Sequence, residues 1–286
     1  MTSGTVLSMG RSAAPSRAVR RSLRATGNPA GGIDSTTPSA ARMYDHYLGG
    51  KDNYAVDRAL AERALRRAPI ISRLVRVNRA FLGDSVRLLA QQAGIRQFLD
   101  IGCGLPTHDN VDDIVRRVDP ACRVAYVDND PMVFSHARAL LAVSGDTKAF
   151  AADLREPGEI LGHPELTQLI DFSEPVAVLL LSVLHFISDA ENPRRIIDDL
   201  LSGLPPGSHV VISHAERTPD LEAVSALYQE ADVPFTPRSR QEIAGLSHGL
   251  ELFPPYPVNL PLSRFGHQLR IRGTVPLIGC IGRKPA

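Results

Sequence analysis

The stretch FLDIGCGLPTHDN, residues 98–110, carries an apolar run into a turn flanked by two glycines. In a doubly wound α/β sheet, a strand followed by a G-x-G turn brings backbone close to a ligand or to a neighbouring helix. Gly102 and Gly104 alone do not choose between these. The nicotinamide and flavin fingerprint needs a third glycine at its sixth position, where helix and strand pack closely. That position is Thr107 here. Asp100, just before the turn, would repel a pyrophosphate and suits a ligand carrying positive charge.

Outward from this turn, strands and helices alternate. Strands are expected at 96–101, 123–128, 147–151, 176–183 and 208–213, with helices over 109–118, 131–143, 192–203 and 219–231. Apolar strands separated by amphipathic helices predict a parallel sheet covered on both faces. TVPLIGCIGRK reads as a last strand, with residues 250–260 as its antiparallel partner. Upstream, helical spacing runs over 39–48, 53–67 and 70–93. The last of these carries a stripe of Ile71, Leu74, Val75, Phe81, Leu82, Val86 and Leu89 and closes at Gly94. The expected fold is α/β: a three-layer, doubly wound, mostly parallel sheet with an N-terminal helical cap. Residues 1–38 read as a disordered tail, 39–93 as the cap or lid, and 94–286 as a Rossmann-like domain. The tail is rich in Ser, Ala, Gly and Arg and superficially resembles a transit peptide, but it lacks an amphipathic repeat.

A net charge of +1 in 286 residues gives the whole chain no polyanion-binding signature, so no nucleic-acid partner is expected. No apolar run approaches the ~18 residues of a membrane span, so no membrane is expected either. Cys103, Cys122 and Cys280 are odd in number and scattered, which supports neither a disulfide framework nor a zinc knuckle and favours a cytoplasmic setting. A homodimer stands as an expectation without a sequence signal.

Two further aspartates extend the site. Asp128 ends the second strand twenty-six positions beyond Gly102, where a carboxylate can accept both hydroxyls of a ribose. Asp153 follows the third strand and can take an adenine amino group, with the Leu154 backbone beside it. Asn129 next to the ribose carboxylate and Ser182 at the end of the fourth strand complete this edge. Each aspartate taken singly also suits a helix N-cap or a solvated loop. In order on successive strands they match S-adenosylmethionine (SAM) better than NAD.

The phrases ARMYDHYLGGKDNYAVDR, NRAFL, IRQFLDIGCGLPTHDNV, YVDNDPMVFSHARALL, LSVLHFISD and GSHVVISH resemble the DUF574 family of actinobacterial SAM-dependent methyltransferases. The resemblance runs from about Ser39 to the C-terminal IGRKP. It implies a class I methyltransferase fold and SAM as ligand, and leaves the acceptor undefined. Cys103 stands where Thr is common. The residues Ala244 to His248 and the segment PLSRFGHQLR also depart from the family pattern, on what is expected to be the acceptor side.

Base methylation is set aside, because the fourth strand leads into Ser182-Val183-Leu184-His185 instead of the [DNS]-P-P-[YFW] that holds a target amine. His185 is the candidate general base, with a structural histidine as the equal alternative, and His214 is a weaker candidate. Gly49-Gly50-Lys51-Asp52 fails as a P-loop, since Asp45 and Asp52 stand where Gly and Ser or Thr are needed. A lid over the cofactor fits this segment better. Gly49 and Gly50 would permit close approach, Tyr44 or Tyr47 would face the sulfonium, and Arg42 or Lys51 would pair with the methionine carboxylate. An ordinary helix–break–helix cap is the alternative. The D-x-D of VDND could hold a metal, but ribose recognition is favoured and no metal is expected. The reading is a SAM-dependent methyltransferase acting on a small molecule, against an NAD(P)-dependent oxidoreductase or a non-catalytic SAM-binding protein.

Overall fold

Five apolar runs form the parallel part of one sheet in the computed structural model, which describes residues 33–142, 144–260 and 273–286. They are β1 (Gln97–Ile101), β2 (Arg123–Asp128), β3 (Thr147–Ala151), β4 (Ala177–Leu181) and β5 (His209–Ala215). β1 and β4 are buried at every position, as strands covered on both faces must be. Beyond β5 the sheet turns antiparallel. The two-residue strands β6 (Glu251–Leu252) and β7 (Val258–Asn259) pair with β8 (Leu277–Arg283), which pairs with β5. The strand order is β3-β2-β1-β4-β5-β8-β6, the mostly parallel, doubly wound arrangement that the sequence predicts. The order reverses between β1 and β4, where such sheets open a crevice at their carboxyl ends.

Among the described residues, three helices precede the sheet: α1 (Ala40–Leu48), α2 (Ala55–Arg67) and α3 (Ile71–Gln91). The apolar stripe of α3 is buried as its spacing predicts, from Ile71 to Leu89. Gly94 lies two residues beyond the capping Gln92, at φ 71, and turns the chain toward β1. Around the strands lie α4 (Val111–Arg116), α5 (Pro131–Leu140), α6 (Pro157–Leu161), α7 (Pro164–Leu169), α8 (Pro193–Ser202), α9 (Pro219–Gln229) and α10 (Arg240–Leu246). The tail expected over 1–38 lies outside the described residues up to position 32, as does the segment PLSRFGHQLR at 261–270.

Side chains alternate across the sheet and divide the core into two layers. Phe98, Leu179 and Val211 pack with α2 and α3 on one face. Leu99, Ile101, Val178 and Leu180 pack with α6, α7 and α8 on the other. Each such Leu, Ile or Phe contributes about 1.5–3 kcal/mol by leaving water. The same alternation fixes the site: Asp100 shares the face of Phe98, so it looks toward the N-terminal helices.

Candidate functional site

The turn after β1 is held open by its glycines. Gly102 has φ 72, and a Cβ there would lie 2.4 Å from Val183 Cγ2. Gly104 has φ 67, with open space where its Cβ would stand, so the backbone is bare toward the cleft. Asp128 ties this turn to the next strand. Its Oδ2 accepts the Gly104 N–H at 3.0 Å and its Oδ1 accepts the Asp130 N–H at 3.0 Å. Asp130 in turn caps α5 through Met132 N–H and accepts the Ser39 hydroxyl at 2.6 Å, fastening the start of α1 to the end of β2. Gly102→Ala is expected to destabilise the fold by about 1–3 kcal/mol, through the left-handed backbone and the displaced Val183. Gly104→Ala meets only the backbone cost and should lose less in the same urea titration.

Beyond the ends of β1 to β4 lies a cleft of about 330 Å³. Asp100, Gly102, Gly104, Asp128, Asn129, Asp153, Leu154, Ser182 and Tyr44 line it, so nine of the sequence-predicted residues come together. Asp100 is 5% exposed, and burial pushes its carboxyl up to about 7, with Arg79 opposing and Asp128 adding. Burial likewise lifts Asp128 to about 6 against the backbone N–H groups of Asp130 and Gly104. The floor of the cleft therefore holds the buried Asp100 and the half-buried Asp128, neither with a salt-bridge partner among the described residues, an environment that favours a cationic ligand. Asp153 is differently placed: half-exposed, paired with Arg155 at 3.1 Å and hydrogen-bonded by Asn129 Nδ2 at 3.0 Å.

At the β4 end, Ser182 adopts φ 54, a conformation that costs a non-glycine residue of order 1–3 kcal/mol. Its N–H donates to Ser213 Oγ at 2.8 Å, and that hydroxyl donates to Asn78 Oδ1 at 2.5 Å. Asn78 Nδ2 then donates to the Tyr44 hydroxyl at 2.9 Å, which donates to Val75 O at 3.1 Å. This chain of bonds fixes Tyr44 on the cleft wall and couples α1, α3, β5 and the strained residue.

Arg42, Lys51 and Gly50 are not brought to the cleft. The Arg42 guanidinium is buried against Asp57, Nε to Oδ2 at 2.7 Å, with side chains 4% and 0% exposed. It also bonds Thr37 O and lies over the Tyr54 ring. Lys51 is exposed and does not line the cleft. Gly50 answers a local need instead of a ligand: a Cβ there would lie 1.9 Å from Asp45 Oδ1, whose carboxylate is bonded by Asn53 at 2.7 Å. The glycine break is thus an internal feature of the helical cap.

His185 is 4% exposed and lines a smaller adjoining cavity of about 50 Å³, among Tyr44, Tyr47, Phe186, Tyr228 and Phe235. Burial, His214 and Arg238 hold its pKa well below 6.5. Its Nδ1 faces the Ala215 N–H at 3.4 Å, which favours the tautomer protonated at Nε2. A base role would need the lone pair on Nε2 and a proton on Nδ1 pointing at that N–H, so the geometry speaks against the expected general base. His214 is consumed structurally, between Ala215 O at 2.9 Å and Arg238 Nη1 at 2.9 Å. Tyr47 also turns from the cleft, its hydroxyl 2.5 Å from that of Tyr228.

Sequence reasoning does not reach Asn78, Arg79, Phe186 or the Asp232–Pro234 loop, all of which line the cleft. Asn78 and Arg79 open the NRAFL phrase, one turn before Leu82 on the buried face of α3, and that was the available signal.

A family model described as S-adenosyl methyltransferase matches residues 26–284. Among solved structures, a protein of Thermobifida fusca YX, provisionally described as a methyltransferase, is 38% identical with a TM-score of 0.84, covering 91% of this chain and 100% of its own. A DUF574 family protein from Streptomyces avermitilis MA-4680 is 34% identical with a TM-score of 0.81, covering 89% of this chain and 100% of its own. No curated protein matches. With a family model spanning most of its length and these two relatives, the chain belongs to the S-adenosyl methyltransferase family known as DUF574.

Proposed function

We propose that this protein binds SAM in the cleft beyond β1 to β4 and transfers its methyl group to a small-molecule acceptor. The observation that carries the reading is the placement of Asp100, Asp128 and Asp153 on three successive strand ends of one cleft, beside a bare Gly104 backbone. Asp153 and the Leu154 backbone take the adenine, Asp128 and Asn129 the ribose, and Asp100 with Gly102 the methionine end. The residues fit the ligand: the buried Asp100 and half-buried Asp128, both of raised pKa, suit a molecule that brings its own positive charge. Tyr44, held by Asn78, lines the cleft as an aromatic neighbour for that charge.

SAM supplies an activated methyl sulfonium. What the chain contributes is binding and alignment, which can lower such a barrier by ~7–11 kcal/mol without a base. The acceptor enters beside Ser182 and Phe186, which line both the cleft and the adjoining apolar cavity. His185, neutral there, is a hydrogen-bond donor to the acceptor through Nε2. We place the enzyme in the cytoplasm on its three free cysteines, and no described helix is long and apolar enough to cross a membrane.

A thermal-shift panel tests the reading. SAM and S-adenosylhomocysteine (SAH) at a hundredfold excess over Kd are expected to stabilise the protein by about 2.7 kcal/mol, several degrees in Tm. NAD and NADP should give no shift. Stabilisation by NAD or NADP alone would overturn SAM as the ligand. Binding without SAH release over a broad acceptor panel would overturn the transfer step.

A further inference from the structure

Among the described residues, two cations line the cleft, Arg79 and Arg155, and they are not equivalent. Arg155 is committed to carboxylates, Asp153 at 3.1 Å and Glu191 at 2.6 Å, at the β3 end. Arg79, on α3, meets no carboxylate within ion-pair distance among the described residues. Its Nη2 donates to backbone carbonyls alone, Asp109 O at 3.1 Å and His108 O at 3.4 Å, on the loop that follows the glycine turn. Those two bonds leave the rest of its five-donor fork for a ligand.

Position along the sheet edge decides which part of a ligand would meet it. With the adenine at β3 and the ribose at β2, the amino-acid end must run over β1, where Asp100 looks toward α3. Arg79 and Asp100 line the same cleft, and the guanidinium opposes the upward shift of the Asp100 carboxyl. An α-amino acid presents an ammonium and a carboxylate on one carbon, and a carboxylate beside an unpaired guanidinium is the matching pair of hosts. Resting on the SAM reading, we propose that Arg79 binds the α-carboxylate of the donor while Asp100 receives its α-ammonium. Arg79 thus takes the part that the sequence alone assigned to Arg42 or Lys51.

Calorimetry with two ligands on the full-length protein separates this role from a general one. SAH keeps the amino-acid end, whereas 5′-methylthioadenosine lacks it and retains adenine and ribose. Arg79→Ala is expected to weaken SAH at least tenfold and to leave methylthioadenosine within about twofold. Arg79→Lys keeps the charge, loses the fork, and should fall between the two. It also serves if the alanine variant does not fold. Equal losses for both ligands, or no loss for SAH in either variant, would overturn the assignment. So would a wild-type protein that binds methylthioadenosine as tightly as SAH. A wild type that binds neither ligand would instead remove the SAM reading on which this rests.

Discussion

Asp128→Ala is expected to weaken SAM binding at least tenfold. A hydrogen bond to a charged acceptor is worth ~1.5–3 kcal/mol, and about 1.4 kcal/mol is a factor of ten, so losing the acceptor of two ribose hydroxyls reaches that figure with one bond alone. The carboxylate also accepts the Gly104 and Asp130 N–H groups, which means that alanine slackens the turn as well as losing the ribose. Asp128→Asn separates these contributions, because its amide oxygen can still accept one of the backbone N–H groups. The asparagine variant should therefore bind SAM more tightly than alanine and more weakly than wild type. Unchanged SAM affinity by calorimetry in both variants would remove Asp128 from the ribose.

The Asp128 case shows why part of this site was legible without coordinates. Position relative to a strand end is a sequence property: five apolar runs announce the parallel strands, and whatever follows β1, β2 and β3 must lie at one edge of the sheet. Asp100, Asp128 and Asp153 could be placed together for that reason. Direction in space is not a sequence property. Arg42 stands in an apt motif but turns to Asp57, a carboxylate on another helix that also accepts the Ser39 and Tyr54 N–H groups. Nothing in the spacing of α1 announces that partner. The Gly49-Gly50 break suits an approach to ligand on sequence alone, whereas the space Gly50 leaves is filled by Asp45 five residues earlier.

Short helices escaped for a different reason. α6, α7 and α10 have five to seven residues, less than two turns, over which apolar periodicity cannot accumulate. Their caps were the available signal: Pro157 and Pro164 at first helical positions, and the Ser239…Glu242 capping box. The helices expected at 109–118 and 131–143 form but run short, ending at Arg116 and Leu140.

Asp100→Asn is expected to move stability and binding in opposite directions. Burial raises the folded-state pKa of Asp100 from the ordinary 3.8 to about 7. The folded protein therefore holds this proton more tightly than the unfolded chain. The stability that this affords is fully present below about pH 4, is lost as the pH rises toward 7, and stays lost above it. At about 1.36 kcal/mol per pKa unit, the ionised Asp100 costs the unliganded fold on the order of a few kcal/mol at pH 8. Asparagine carries no such charge, so the variant without ligand should melt about 5 °C or more above wild type at pH 8 and level with it near pH 4. Binding runs the other way. A cationic ligand prefers the ionised Asp100 and pulls its proton off, so wild-type affinity for SAM should rise between pH 5.5 and pH 8. The variant should bind SAM at least tenfold more weakly at pH 8. Its pH dependence should be shallower, retaining only the step that Asp128 contributes near 6. Melting curves across this range with calorimetry at both ends read the two effects independently. A variant that binds SAM like wild type at pH 8 would show that Asp100 faces no cation. One that melts below wild type there would show that the buried carboxylate is satisfied within the fold, and that its place at the turn after β1 is structural.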